Sequence, residues 1–251
     1  MSEMNKAGLK YRADLADAAP RRRLTALVVL AGALAFSFAT RTDASEIILA
    51  NDSIQPPGAG APLQTFVPGE RVAGWFTSPV QGDLVGVQIY WDSLFGGNPA
   101  QQEMLIDIHP GGFFPAPSPA AVTILGPVLV NATPGNVINE FRHADPPTNL
   151  QPIQVPLQQG QTFAVSLEFL NQSNPGPFGS GIEIDLDGCQ GGTNGVFAVP
   201  GGWVDSCLAG VTGDFGIRAI VKPIPEPAGA VVMTVLTGLL LPRRGVRRNR
   251  C

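Results

Sequence analysis

Between residues 45 and 222, segment after segment places apolar residues at every second position, and few folds tolerate such a pattern. In Thr162 to Leu170, Phe163, Val165, Leu167 and Phe169 oppose Thr162, Ser166 and Glu168. Side chains alternate across a strand with a period of two, so one face of this segment is built for a core. Leu84 to Asp92 sets Val85, Val87, Ile89 and Trp91 against Gly86, Gln88 and Tyr90, and Glu103 to His109 sets Met104, Ile106 and Ile108 against Glu103, Asp107 and His109. Gly181 to Gly188 opposes Ile182, Ile184 and Leu186 to Glu183, Asp185 and Asp187, and Asp214 to Val221 opposes Phe215, Ile217, Ala219 and Val221 to Gly216 and Arg218.

With weaker segments at 46–49, 72–77, 122–130, 136–142, 153–157 and 196–199, the pattern predicts about ten or eleven strands. No helical period competes. Gly and Pro turns separate the segments, as in Pro56-Pro57-Gly58, Pro110-Gly111-Gly112 and Pro200-Gly201-Gly202. One-sided alternation with short turns implies an all-β domain of antiparallel sheets packed face to face, a β-sandwich or jelly roll. Residues 114–120, with three prolines, read as an extended surface loop.

The charge is divided unevenly. Residues 45–227 hold sixteen acidic residues against four basic ones, Arg71, Arg142, Arg218 and Lys222, whereas the arginines cluster toward both ends. A body so acidic repels nucleic acid phosphate, and no nucleic acid partner is expected.

At the N-terminal side, Arg21-Arg22-Arg23 precede sixteen uncharged residues, Leu24 to Ala39, and then small residues through Ala44. That order of basic, apolar and small residues is a secretory signal peptide over 1–44, cleaved after Ala39 or Ala44 and handled by the general secretion machinery. At the other side, Pro225-Glu226-Pro227 is followed by fourteen uncharged residues, Ala228 to Leu241, and by arginines at 243, 244, 247, 248 and 250. As a helix the apolar run would be about 21 Å long, a short transmembrane span whose arginines stay in the cytoplasm.

These residues resemble the PEP-CTERM sorting signal of bacterial proteins handled by exosortase. The resemblance covers Pro225 to Arg250 within a terminal sorting segment of residues 223–251, and Pro242 is its one departure. It implies a recognition motif at Pro225, Glu226 and Pro227, a transient membrane anchor at Ala228 to Leu241, and a stop-transfer cluster at Arg243, Arg244, Arg247 and Arg248. It further implies an exosortase-type membrane protease as partner, export to the cell envelope or beyond, and association with exopolysaccharide or biofilm matrix.

Export favours a disulfide between Cys189 and Cys207, the only cysteines of the body. Asp107 and His109 share a face with Glu103, which would suit a metal corner or a solvated polar face. Glu183, Asp185 and Asp187 before Gly188 are a weak calcium candidate, since Asn194 stands where a helix–loop–helix calcium loop ends in Glu. No nucleophile motif, phosphate loop or zinc signature is present, and no other cofactor is expected. Trp203, placed by the pattern on a loop, is the aromatic available for ligand contact or for packing against the disulfide. The expected function is a non-catalytic surface or matrix protein, with a carbohydrate-binding module and then a secreted glycoside-acting hydrolase as alternatives.

Overall fold

The computed structural model describes residues 44–54, 60–64, 66–93, 100–132, 137–171 and 179–225. The expected signal peptide, the transmembrane run and the arginine cluster lie outside them. A compact unit spans Ala44–Ile224. Its first strands are β1 (Ile47–Ala50), β2 (Ala61–Gln64), β3 (Arg71–Thr77), β4 (Gly82–Ile89) and β5 (Trp91–Ser93). Then come β6 (Ala100–Gln102), β7 (Leu105–His109), β8 (Gly112–Phe113), β9 (Ala116–Pro117), β10 (Val122–Leu125) and β11 (Val128–Val130). After them run β12 (Asn139–Phe141), β13 (Val155–Leu157), β14 (Thr162–Glu168), β15 (Ser180–Ile184), β16 (Asn194–Ala198), β17 (Gly202–Asp205) and β18 (Ile217–Pro223). No helix occurs among the described residues, so none there is long and apolar enough to cross a membrane.

All pairings are antiparallel. Six strands form one sheet in the order β10-β7-β14-β3-β16-β17, and a second sheet runs β1-β18-β4-β12, with β13 also on β4. At the centre of the first, β14 pairs with β3 from Thr162↔Thr77 to Glu168↔Arg71. The register turns Phe163, Val165 and Leu167 to one side, where they are fully buried with Val72, Ile106 and Ile108. Leu84, Val87, Ile89, Ile217, Ala219 and Val221 of the second sheet join the same core. Sheet faces the sheet in a sandwich-like packing. The two sheets approach closely at Gly74, where an added Cβ would sit 3.3 Å from Cβ of Ile217.

The strand β4 departs from simple alternation. Its register against β18 shifts between Ile220 and Val221, which oppose Gly86 and Leu84. Val85 is the extra residue of this bulge; it leaves the core side to Leu84, whereas the sequence pattern puts Val85 inward. Beyond Ile89 the chain changes partner. Tyr90 accepts the Glu183 N–H through its carbonyl and donates its own N–H to Gly216, and β5 then pairs with β15 in a smaller sheet, β2-β15-β5. Trp91 is fully buried there, as its alternation implied.

Two further expectations change. Val122 to Val130 is two strands, broken at Gly126, whose φ of 57° an L side chain rarely adopts. The proline-rich segment after His109 is not an irregular loop throughout: β8 and β9 form a small hairpin, Gly112↔Pro117 and Phe113↔Ala116.

Candidate functional site

Of the residues singled out from the sequence, Cys189, Cys207 and Asp185 gather around the loops before β16 and after β17, at one edge of the six-stranded sheet. Cys189 and Cys207 are disulfide-bonded, with Cα atoms 5.7 Å apart. Asp205 ties the same two loops by accepting the Cys207 N–H at 2.9 Å and the Gly192 N–H at 3.1 Å. A bridge closing a loop of this size restricts the unfolded chain and stabilises by about 3 kcal/mol. Accordingly, reduction, or replacement of both cysteines by serine, is expected to lower urea-unfolding stability by about 3 kcal/mol. Equal midpoints for oxidised and reduced protein would show that the loops hold without the bridge.

Beneath these loops lies a buried polar cluster. Strand β15 ends at Ile184 because the chain there turns onto residues 213–215: the Asp185 N–H donates to the Asp214 carbonyl at 3.0 Å, and the Asp214 N–H donates to Asp185 Oδ1 at 2.7 Å. Gly213 permits this, since a Cβ at that position would overlap the Asp185 carbonyl. Asp185 Oδ2 also accepts the Ser53 N–H at 2.9 Å. Asp214 Oδ1 accepts from Asn194 Nδ2 at 2.7 Å, from the Gln190 N–H at 3.0 Å and from Thr193 Oγ1 at 3.3 Å. Burial pushes both carboxyls above their ordinary range, against the backbone N–H groups that hold them down; the Asp187 hydrogen bond adds to the rise at Asp185.

Only part of the expected acidic set is placed here. Asp185 is in the cluster, while Asp187 is exposed on the turn beyond it and Leu186, expected inward, is exposed as well. Glu183 is buried, with its carboxylate against Gly60. Among the described residues no three His, Cys, Asp or Glu side chains are grouped to hold a metal ion. Asp214 and Asn194 were not legible as site residues, because they are 20 positions apart and neither belongs to a spaced motif.

Trp203 lies on β17, the edge strand, and not on a loop. It stands opposite Phe197 with ring centroids 5.6 Å apart and planes at 59°, and it covers Gly195. Next to it, Phe114 and Pro115 at the hairpin tip face Val204, Asp205, Leu208 and Ala209 across a mostly apolar groove.

The remaining sequence candidate divides in two. Met104, expected inward, is exposed, while Glu103 precedes β7 and is wholly buried. Its carboxylate accepts from Trp91 Nε1 at 3.0 Å, from the Leu170 N–H at 2.8 Å and from Ser180 Oγ. Asp107 and His109 stay on the opposite face of β7 but are covered and not solvated. Asp107 pairs with Arg71 at 3.1 Å, and Arg71 also pairs with Glu168. His109 Nδ1 is 2.7 Å from the Ser118 carbonyl and Nε2 is 2.9 Å from Ser166 Oγ. A carbonyl can only accept, so Nδ1 carries the proton and Nε2 accepts from the serine. Burial lowers the His109 pKa and favours this neutral form. The pair is a nucleophile–base contact in distance, but Ser166 is fully buried, and the arrangement clasps the β8–β9 segment onto the sheet.

No protein-family model matches the chain, and no curated protein matches it.

Proposed function

We propose that this protein is exported and sorted by an exosortase-type system, and that its mature β domain serves as a non-catalytic component of the cell surface or extracellular matrix. The observation that carries the reading is the order of Pro225-Glu226-Pro227, the apolar run Ala228 to Leu241 and the arginines at 243, 244, 247 and 248. In this reading the apolar run anchors the chain only until the protease acts. Two features of the β domain support the reading. The disulfide between Cys189 and Cys207 suits an oxidising compartment. The sandwich-like body has His109, Arg71, Arg142, Arg218 and many of its acids in packed or paired positions, which suits a scaffold more than a reaction centre. Where the scaffold meets polysaccharide, the half-buried pair Phe197 and Trp203 on the outer face offers a ring for a sugar to stack on.

Intact mass measurement of the protein from its native host, with envelope and medium separated, tests the sorting. The expected species begins after Ala39 or Ala44 and ends between Pro225 and Ala228, with any added mass there marking an attachment. A mature species that retains the apolar run through Cys251 overturns it.

A further inference from the structure

Hydrogen bonds join the acids near the disulfide to their surroundings, but two buried oxygens of the cluster are left over. Asp214 and Asn194 are both fully buried, and each has one side-chain oxygen, Asp214 Oδ2 and Asn194 Oδ1, without a hydrogen-bond partner among the described residues. Their other polar atoms are committed. Asn194 Nδ2 donates to Asp214 Oδ1 at 2.7 Å and to Thr193 Oγ1 at 3.1 Å, so the amide cannot be turned over without facing oxygen with oxygen. The two free oxygens therefore belong to neighbouring groups of one buried cluster, and a buried oxygen left bare costs free energy. Asp185 lies against the same backbone, its Oδ1 accepting the Asp214 N–H at 2.7 Å. Among the described residues no cationic side chain is bonded to either carboxylate, so the two make an anionic site of about the charge that one divalent ion neutralises.

We propose that Asp214 Oδ2 and Asn194 Oδ1, backed by the Asp185 carboxylate, form a calcium site beneath the Cys189–Cys207 loops. It differs from the acidic alternation in Glu183, Asp185 and Asp187: the ligand set draws on an amide and on a residue from the far side of the disulfide, and Asp185 is common to both. The oxygen-only set is that of a hard cation. Calcium accepts irregular oxygen cages with amide and carbonyl members, whereas magnesium keeps several waters, for which a fully buried pair of ligands leaves little room. The ion would join β15, β16 and the 213–215 segment from inside as the disulfide joins the loops from outside. This inference rests on packing and is independent of the sorting reading.

The test uses the full chain, cleared of metal with a chelator and titrated with calcium chloride in a calorimeter and in a thermal-unfolding assay. One ion per chain is expected, with Tm raised by about 5–10 °C at a hundredfold excess over Kd. The Asp214→Asn variant keeps the accepting Oδ1 and removes the charge, and it is expected to lose the shift. Absence of heat and of any shift in the unaltered protein, an equal shift in Asp214→Asn, or an equal response to magnesium overturns the proposal. The titration of the unaltered protein decides it even where the variant does not fold.

Discussion

Replacing Arg218 with methionine is expected to destabilise the protein by about 3–5 kcal/mol, because it strands a buried carboxylate. The Asp52 side chain is wholly inaccessible, and Arg218 grips it through Nη2–Oδ1 at 2.6 Å and Nε–Oδ2 at 3.1 Å. The same Nη2 donates to the Ile54 carbonyl at 2.6 Å, and the guanidinium carbon stands 4.9 Å from the centre of the Tyr90 ring. One side chain thus pins the segment after β1 across β18 and β4. Methionine fills much of the arginine stem, so the loss reports the missing charge and donors more than a cavity. Urea unfolding measures it, and pairing Arg218→Met with Asp52→Leu is expected to recover a large part, since replacing both partners removes the bare charge. A loss under about 1 kcal/mol in the single variant would mean that Asp52 has another way to be neutralised.

The second large effect is expected at Glu103, where Glu103→Gln costs about 2–4 kcal/mol under acidic conditions. Trp91 Nε1, Ser180 Oγ and the Leu170 N–H all donate to this carboxylate, on both of its oxygens. An amide NH2 in either place faces a donor, leaving two buried N–H groups without acceptors. The pH dependence separates charge from shape. Burial raises the Glu103 pKa above its ordinary 4.5, outweighing the donors from Ser180, Leu170 and Trp91. A raised folded-state pKa means that the native state holds the proton longer than the unfolded chain does. The stability from Glu103 is therefore fully present below 4.5 and is lost as pH rises through the folded value. The advantage of the unaltered protein over Glu103→Gln should shrink across that rise, read by unfolding at a series of pH values. An advantage constant with pH would show that Glu103 does not titrate in the folded range.

These residues show where sequence reading stops. Glu103 and Asp107 are equivalent in a period-two pattern, yet one lies in the core with Trp91 and the other pairs with Arg71 on the outer face. The difference arises because β7 begins only at Leu105, and the preceding backbone is held instead by Glu103 N–H to the Pro127 carbonyl and Met104 N–H to the Glu168 carbonyl. Likewise Trp203 reads as loop beside Pro200, Gly201 and Gly202, but pairing with Phe197 makes it strand. Short strands such as β5, β6, β8 and β17 have too few residues for an alternation to be recognised.

By itself the sequence determined that the body is all-β and antiparallel, that Phe163, Val165, Leu167 and Trp91 face a core, and that the cysteines available to pair in the body are Cys189 and Cys207. Those facts are local or combinatorial: a period of two names the apolar face, and two cysteines allow one bridge. Only the tertiary structure decided what became of the polar face. His109, Asp107, Glu183 and Asp185 alternate as solvated residues would, and all four are buried. Their covers come from elsewhere in the chain: the segment ending in Ser118 for His109, Ser53 and Asp214 for Asp185, and Gly60 for Glu183. Alternation records which way a side chain points from its own strand. What meets it there is settled by segments far away along the chain, and that pairing has no period to read.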